Sequence, residues 1–353
     1  MIGSVRNGTD WNMSIVVGWD VGGAHLKAAR ADNGRIVDAV QVASPLRLGL
    51  ERLAQAFVEA KARIGTADLH AVTMTGELAD TFSSRIEGVE QLSALALREL
   101  APARVSLYAG RAGFIAPQAA RQHADDIASA NWFASASLAA RVAHTALFID
   151  MGSTTTDLVP LADGAIAARG YTDAERLAAG ELVYTGLVRS FVMAVADRAP
   201  FAGNWSVLIN EYFANMADVH RILGRLPDDA DQMATADGRA KTVEASRARL
   251  ARMVGCDVNH ANEDAWSTLA QWFAERQIRT IMDGAMLVLS CGNIPAGAPI
   301  LGAGIGDAVV QEVARRLGRN YLSFDSILDV VPDARERASH CAPASALASL
   351  ASA

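Results

Sequence analysis

One supersecondary unit occurs twice in this chain, and the repeat constrains the fold more than any other feature of the sequence. In its first copy, the apolar, β-branched run 14–19 ends in Asp20, a Val-Gly-Gly turn follows, and a second apolar stretch covers residues 26–31. Short apolar runs on either side of a glycine turn predict a strand, a tight turn and a second strand. The first copy is therefore expected to carry a carboxylate beside a turn between two strands.

The second copy begins at residue 146. The apolar run 146–149 leads into Asp150, the turn Met-Gly-Ser-Thr-Thr-Thr and Asp157, and the apolar pair 158–159 follows. A repeated unit of this kind predicts two related α/β lobes with a cleft between them. At an offset of 130 positions, the residues that coincide are Asp20 with Asp150, Gly22 with Gly152, and Lys27 with Asp157.

The rest of the chain alternates between helical and strand patterns. An apolar stripe at helical spacing covers 48–64, and an Ala-rich stretch at 119–142 also predicts a helix. The other predicted helices are 178–195, 265–289 and 308–317. The other predicted strands are 69–75, 105–109 and 300–301, and an acidic loop is expected at 227–238.

These patterns divide the chain into four segments. We predict a disordered leader at 1–12, an N-terminal lobe at 13–143, a C-terminal lobe with a helical insertion at 144–340, and a flexible tail at 341–353. The leader is polar and glycine-rich, and the tail is rich in Ala and Ser. Ends of this composition are commonly poorly ordered.

Composition narrows the class of protein. Of 353 residues, 51% are hydrophobic, which is enough for one large or two medium cores. The net charge of −7 and the lack of a Lys/Arg cluster argue against nucleic-acid binding. Cys256, Cys291 and Cys341 are too few and too scattered for a disulfide framework or a metal site, so free thiols are expected.

The expected compartment and partners are inferred from features that the chain lacks. No apolar run approaches the roughly 20 residues of a membrane span, and the N-terminus lacks the basic and apolar layout of a signal peptide. We therefore predict a cytoplasmic protein with no membrane partner. Small molecules or other subunits are the expected partners, and a homo-oligomer is left open.

The two glycine turns predict a site for phosphate groups. A tight turn between strands exposes successive backbone N–H groups, whose partial positive charges converge on an anion. Hydroxyl groups beside the second turn add donors, and Lys27 adds a positive charge at the first. The predicted phosphate-binding residues of the turns are Gly22, Gly23, Gly152, Ser153, Thr154 and Thr155.

Carboxylates beside the turns predict a divalent cation. Bound phosphates usually carry Mg²⁺, and Asp20, Asp150 and Asp157 follow strands that would deliver them into the cleft. We predict Asp20 and Asp150 as ligands of Mg²⁺. The alternative is that these aspartates only accept hydrogen bonds from N–H groups of the turns.

Four further features are weaker candidates. Gly302, Gly304 and Gly306 lie between a strand and a helix, and beside two phosphate turns they fit a platform for the nucleoside or other non-phosphate part of a ligand. Glu77 follows a strand and can act as a base at the cleft, or it can simply favour the dipole of a helix N-terminus. His25 is expected to be an exposed hydrogen-bonding residue, and Trp132 a core residue rather than a ligand platform.

Taken together, the motifs at 20–23, 150–157 and 302–307 resemble the two phosphate motifs and the adenosine motif of the actin, sugar-kinase and Hsp70 superfamily. The chain resembles the hydantoinase/oxoprolinase branch, and within it the proteins linked to tetrahydromethanopterin-dependent one-carbon transfer. The strings that carry this closer resemblance are Met74-Thr-Gly-Glu-Leu-Ala-Asp80, Ala130-Asn-Trp132, Gly180-Glu-Leu-Val-Tyr-Thr-Gly186, Asn210-Glu-Tyr-Phe213, Met216-Ala-Asp218 and Thr235-Ala-Asp-Gly238.

The resemblance implies a fold of two duplicated ribonuclease-H-like lobes, as in actin-like ATPases, with an interlobe cleft. It also implies a transferase of methylofuran biosynthesis, which joins an aminomethylfuran-methyl diphosphate to the phenol of γ-glutamyltyramine and releases diphosphate. Lys27 and Asp157, with Asp20, would stabilise the leaving group, and Glu77 would be the first candidate for the base. Candidates for substrate contacts are Asn131, Trp132, Glu181 and Tyr184, with Glu181 as the second choice for the base.

Two other functions fit the same motifs. The superfamily fold normally holds ATP, so a small-molecule kinase or a hydantoinase/oxoprolinase-like ATPase is the enzymatic alternative. The residues do not decide whether the site holds ATP or a diphosphate substrate. A non-catalytic, actin-like scaffold that uses nucleotide only to set its shape is the third hypothesis.

Overall fold

The computed structural model describes residues 15–353, so the predicted leader at 1–12 lies outside the described residues. Within them the chain forms two mixed β-sheets flanked by helices. Each sheet has its own apolar core, and a third core, which includes Phe148 and Phe324, lies between the two halves of the chain.

The first sheet has the strand order β3-β2-β1-β4-β5-β6. Strands β1, β2 and β3 are antiparallel, whereas β4 and β5 run parallel to β1. The strands are β1 (Ile15–Val21), β2 (His25–Asp32), β3 (Arg35–Ala43), β4 (Leu69–Met74), β5 (Arg104–Tyr108) and β6 (Phe114–Ile115). The helices of this half are α1 (Leu50–Ile64), α2 (Arg85–Leu100), α3 (Ala124–Ile127) and α4 (Asn131–Ala143).

The second sheet repeats this topology. Its order is β10-β8-β7-β13-β14, with β7 antiparallel to β8 and parallel to β13, and with β9 paired to β8. The strands are β7 (Ala146–Met151), β8 (Thr156–Ala162), β9 (Ala165–Ile166), β10 (Leu182–Val183), β13 (Ile300–Ala303) and β14 (Tyr321–Ser323). The helices are α5 (Asp173–Ala179), α10 (Asp307–Arg316), α11 (Arg335–His340) and α12 (Ala342–Ser352).

The predicted repeat is present in three dimensions. In the first hairpin Asp20 lies opposite Lys27 on β2, and in the second Asp150 lies opposite Asp157 on β8. Both turns are closed by the same backbone hydrogen bond. Gly22 N–H donates to the carbonyl of His25 over 3.0 Å, and Gly152 N–H donates to that of Thr155 over 2.9 Å.

An insertion separates β10 from β13 in the second half and has its own apolar core. Its elements are α6 (Val192–Val195), β11 (Arg198–Phe201), β12 (Asn204–Val207), α7 (Met216–Ile222), α8 (Val243–Met253) and α9 (Glu263–Leu289). The helix predicted at 265–289 is confirmed, but the helix predicted at 178–195 is wrong. Helix α5 ends at Ala179, Gly180 caps it with a left-handed backbone (φ 73°), and β10 follows.

The helix predicted at 119–142 is also interrupted. Short α3 ends at Ile127, and α4 begins only at Asn131. Between them Ser129 has a φ of 54°, a left-handed conformation that no helix contains. This break places Ser129 and Asn131 at a cleft between the two halves instead of along a helix face.

The flexible tail predicted at 341–353 is contradicted by the structure. Helix α12 is mostly buried and packs on β1, β2 and β4 of the first sheet. A Cβ on Gly18 of β1 would lie 2.0 Å from the carbonyl oxygen of Ala344, so the helix touches the strand backbone there. The Ala and Ser content that suggested disorder instead allows this close approach.

Candidate functional site

Both glycine turns border one cleft of about 490 Å³ between the two halves of the chain. The strands deliver the turns to this place because β1 and β7 end at equivalent edges of the two sheets. The first turn contributes Gly22, Gly23 and His25, and the second contributes Gly152 and Ser153. Further lining residues from the sequence predictions are Asp20, Lys27, Asn131, Asp150, Thr154, Thr155, Asp157 and Tyr184.

Three polar atoms of the cleft residues are buried and have no hydrogen-bond partner. They are Asp20 Oδ1, His25 Nε2 and Ser153 Oγ. Leaving a buried polar group unpaired costs about 1–3 kcal/mol, so native structures rarely keep such groups without a ligand or water. These three atoms are therefore available to a polar ligand in the cleft.

Burial perturbs the carboxylates of the cleft. Burial raises the pKa of Asp20, and the charge of Lys27 and a hydrogen bond from Asn131 offset only part of this rise. Burial also raises the pKa of Asp150 to about 7, with further contributions from Asp157 and Asp20. Burial lowers the pKa of Lys27, but its Nζ lies 3.9 Å from Asp20 Oδ2 and the nearby carboxylates raise that pKa overall.

The carboxylates fit a cation that arrives with a phosphate ligand. Among residues 15–353, no three His, Cys, Asp or Glu side chains are placed to hold a metal ion by themselves. Mg²⁺ is usually held by one or two carboxylates together with substrate phosphates and water. Asp20 has an unpaired buried oxygen, and a cation would relieve the charge repulsion that contributes to the high pKa of Asp150.

Arg189 is a cleft residue that the sequence analysis missed. It lines the cleft, and its guanidinium donates to Thr154 Oγ1 over 3.3 Å. The backbone N–H of Arg189 donates to the carbonyl of Ser153 over 2.8 Å, which ties the segment to the second turn. The prediction of a helix over this region hid the residue, because a helix would have given it no fixed place beside the turn.

Glu77 lies just behind the cleft wall. It is 1% exposed, and its neighbours Thr75 and Leu78 line the cleft whereas Glu77 itself does not. Ser129, which does line the cleft, donates to Glu77 Oε1 over 2.9 Å. Burial raises the pKa of Glu77 to about 7, against a partly opposing hydrogen bond from Ser129.

Two predicted substrate residues lie outside the cleft. Trp132 is a core residue, with the guanidinium of Arg176 4.0 Å from its ring centroid. Glu181 is buried, and its two carboxylate oxygens accept backbone N–H groups of Arg169 over 2.6 Å and Gly170 over 2.9 Å. Glu181 therefore holds a loop and does not face a substrate.

The same arginine also engages Asp157. Arg176 Nη1 lies 2.8 Å from Asp157 Oδ1, and Arg176 is itself buried. Asp157 lines the cleft, and burial raises its pKa even though the charge and hydrogen bond of Arg176 oppose the rise. By contrast, Tyr184 is 70% exposed at the rim of the cleft, where its ring is free to meet a ligand.

The third glycine motif does not line the cleft. Gly304 has a φ of 86°, and a Cβ there would lie 2.4 Å from both Asp150 Oδ1 and the carbonyl of Met151. The motif therefore lets β13 and its following turn approach β7 closely. Gly306 borders a separate cavity of about 710 Å³, together with Asp307 and the apolar residues Leu187, Ile278 and Val309.

His25 was predicted to be exposed, and this prediction is wrong. The side chain is 5% exposed and lies within the first turn of the cleft. The sequence offered one usable signal: residue 25 occupies the place in the first turn that Thr155 occupies in the second. Because Thr155 was predicted to bind phosphate, its alignment with His25 indicated that His25 also belongs to the site.

When the main strands of each half are numbered along the chain, both sheets have the strand order 3-2-1-4-5. Two such sheets, with a cleft between their hairpin turns, define the actin-like ATPase fold with ribonuclease-H-like lobes. A nucleotide-free structure of acetone carboxylase has this fold, with a TM-score of 0.55 at 12% identity over 95% of this chain and 70% of that one. The predicted fold class is confirmed.

The chain belongs to the hydantoinase/oxoprolinase family, which matches residues 68–350. Similar proteins include the (4-{4-[2-(gamma-L-glutamylamino)ethyl]phenoxymethyl}furan-2-yl)methanamine synthase of Methanocaldococcus jannaschii, 27% identical over 84% of this chain and 88% of that protein. The protein of the same name from Methanococcus vannielii is 26% identical over 49% of this chain and 77% of its own length. The resemblance found in the sequence is thereby confirmed.

One structural finding bears on membranes. Within residues 15–353, every helix is too short or too polar to cross a bilayer.

Proposed function

We propose that this protein is a transferase of methylofuran biosynthesis. It would join an aminomethylfuran-methyl diphosphate to the phenol of γ-glutamyltyramine and release diphosphate. The observation that carries the proposal is a cleft bordered by two matched glycine turns, in a chain whose relatives are named as synthases of the coupled product. The compartment and oligomeric state remain predictions.

The turns would bind the diphosphate group. The backbone N–H groups of Gly23 and Ser153, with the charge of Lys27, would stabilise the negative charge that grows as diphosphate leaves, whereas those of Gly22 and Gly152 close the turns. Bound Mg²⁺, held by Asp20 and Asp150, would supply further charge neutralisation at the leaving oxygens. Charge stabilisation of the leaving group is expected to be the largest contribution, because negative charge develops there.

The proton of the acceptor phenol must also be removed. A phenol with a pKa of about 10 is almost wholly neutral at pH 7. We assign its proton to Glu77 through the hydroxyl of Ser129, which already donates to Glu77 over 2.9 Å. The bond between the furan-methyl carbon and the diphosphate oxygen breaks, its electron pair leaves with diphosphate, and the phenol oxygen forms the new ether bond to that carbon.

Aromatic contact would favour the cation-like carbon of the furan substrate. Tyr184 is the exposed aromatic residue at the cleft rim, so we assign this contact to its ring. Asn131, which hydrogen bonds Asp20, would hold that carboxylate in place.

The direct test is an assay of the purified protein with the furan diphosphate, γ-glutamyltyramine and Mg²⁺. Mass spectrometry should detect the coupled ether, and a colorimetric assay should detect one diphosphate per ether. Omission of either substrate is the control. Failure to form the ether with Mg²⁺ present, in protein that binds diphosphate, would reject the proposal.

A second candidate is an ATP-dependent kinase or hydantoinase/oxoprolinase-like ATPase. The cavity of about 710 Å³ beside Gly306 favours it, because Leu187, Ile278 and Val309 in its mixed polar and apolar lining can contact a base. Calorimetry with ATP and Mg²⁺ would test this alternative. Tight ATP binding, with ADP release stimulated by a metabolite, would favour it over the diphosphate transferase.

A further inference from the structure

The imidazole of His25 is a buried polar group that the proposed mechanism leaves unused. Its Nε2 has no hydrogen-bond partner, although the residue lines the cleft and is 5% exposed. The backbone around it is fixed: its carbonyl accepts from Gly22 N–H, and Ala24 and Gly23 carbonyls accept from Ser44 and Leu46. A rigid turn therefore holds an unpaired ring nitrogen in the cleft wall.

Comparison of the two hairpin turns indicates what this nitrogen is for. The second turn carries three hydroxyl side chains at 153–155, whereas the first has the sequence Val-Gly-Gly-Ala before His25. His25 and Thr155 occupy equivalent positions, because the carbonyl of each accepts a hydrogen bond from the N–H of the glycine at the start of its turn. His25 is thus the one side-chain donor that lies within the first turn.

Three cations from different segments of the chain act electrostatically on the imidazole. Lys27 lies two residues further along β2, Arg189 comes from the loop after β10, and Lys241 comes from the loop before α8. Burial and these three charges lower the pKa of His25 to about 3, so the ring is neutral near pH 7. A neutral ring can still donate one N–H, and a bound anion would offset the cations around it.

We propose that His25 Nε2–H donates a hydrogen bond to a phosphate oxygen of the bound diphosphate, so that His25 completes the first turn as a binding residue. The proposal deepens the proposed function, on which the identity of the ligand rests. It assigns the specificity for a diphosphate, rather than a single phosphate, to side-chain donors on both turns. The first turn would otherwise meet its phosphate with backbone N–H groups and Lys27 alone.

Three variants separate this contact from a structural role. In His25→Gln the amide nitrogen reaches about as far as Nε2, whereas in His25→Asn it falls near the position of Nδ1. We expect His25→Ala and His25→Asn to weaken binding of inorganic diphosphate with Mg²⁺ by about tenfold or more, as for loss of a hydrogen bond to a charged group. His25→Gln should recover much of the affinity.

Isothermal calorimetry with inorganic diphosphate gives the affinities, and His123→Gln, outside the cleft and hydrogen bonded to Asp126, is the matched control. Nitrogen-15 NMR of the wild-type protein should show a shift of His25 Nε2 on addition of diphosphate, which does not depend on any variant folding. Unchanged affinity in folded His25→Ala, equal recovery by Asn and Gln, or an unshifted Nε2 would overturn the inference.

These measurements do not depend on turnover. If the variants lose diphosphate affinity but the wild-type protein makes no ether, the contact stands and the proposed function fails. If ether forms and diphosphate binds equally well to His25→Ala, the function stands and the contact is rejected. A wild-type protein that binds no diphosphate with Mg²⁺ present also rejects the contact.

Discussion

The aspartates of this cleft differ in role, and the ion pairs and hydrogen bonds that each one makes determine its role. Asp157 is paired with buried Arg176, whereas Asp20 keeps one oxygen without a partner. Both are predicted from the same repeat, and only their neighbours distinguish them. Asp20 is accordingly the better candidate for a ligand contact, and Asp157 the better candidate for holding the hairpin to α5.

Lys27 is the residue whose removal should affect turnover most directly. Lys27→Met deletes the positive charge beside the first turn, so kcat/KM for the furan diphosphate should fall about 100-fold, a typical loss for one charge-stabilising group. A steady-state assay of diphosphate release measures the change. Lys61→Met, on α1 and away from the cleft, is the control and should leave turnover unchanged. Equal turnover in Lys27→Met and wild type would contradict the role.

Glu77 should make the protein less stable as pH rises. Its pKa is raised to about 7 from an ordinary value of 4.5, so between these values the folded state holds more protons than the unfolded state. Stability therefore falls as pH increases through this window, by up to about 3 kcal/mol. Glu77→Gln should flatten that part of the curve, as measured by urea unfolding at pH 4.5 to 8. An unchanged slope would show that the carboxyl titrates normally.

At the scale of elements, the contact between β1 and α12 decides how the C-terminus folds. Sequence reasoning predicted a loose tail because it judged residues 341–353 by composition. The outcome depends on Gly18, more than 300 residues earlier, whose missing side chain lets the helix backbone approach. No local pattern contains that information.

Gly18→Ala should therefore destabilise the protein. The added methyl group would lie 2.0 Å from the carbonyl oxygen of Ala344, so α12 must shift, at a cost of about 1–3 kcal/mol or more. Thermal or urea unfolding measures the loss. Gly297→Ala is the matched control, because nothing lies within 4 Å of a Cβ there. Similar stability in the two variants would mean that α12 is not seated on β1.

The segment after β10 supports the second turn in a similar way. A Cβ on Gly186 would lie 2.5 Å from the backbone nitrogen of Thr154, and Gly186 carbonyl accepts from buried Gln277 of α9 over 2.9 Å. Gly186→Ala should displace the turn and raise KM for the diphosphate substrate about tenfold, with a smaller effect on affinity for the acceptor. Kinetics with each substrate varied in turn separate the two effects, and an equal rise in both KM values would argue against a local displacement.

At the scale of the whole molecule, the cleft joins two halves of the chain that fold around separate cores. A ligand that bridges both turns should hold these halves together. Gln232 from the acidic loop already reaches across, donating to the carbonyl of Gln41 on β3 over 3.3 Å. Helices α11 and α12 and the segment 329–331 of the second half also contact the first sheet.

Diphosphate with Mg²⁺ should stabilise the entire fold. At 100 times Kd the gain is about 2.7 kcal/mol, which a thermal unfolding scan detects as a higher Tm. Because Asp150 has a pKa of about 7, the effect should weaken below pH 7 as that carboxyl takes up a proton. Sulfate at equal ionic strength is the control for general anion effects. A gain that is identical without Mg²⁺ would argue against Asp20 and Asp150 as cation ligands.

Local sequence patterns were enough to predict the repeat and the structure that depends on it. The hairpins at Asp20 and Asp150, the helix α9 and the two glycine turns are local patterns of apolar spacing and turn residues, so they could be predicted without contacts. Family resemblance added the fold class. The cleft residues in and beside the two turns were identified for the same reason, because each lies within a few positions of a turn.

Which groups are buried, and which residues they contact, could be known only from the folded chain. Burial gave Glu77 its high pKa, and contacts across the fold removed Trp132 and Glu181 from the cleft and brought Arg189 into it. Packing against the first sheet also ordered α12. Desolvation and packing depend on which residues are close in space. In these cases the residues are far apart in the chain, so local sequence patterns do not contain the information.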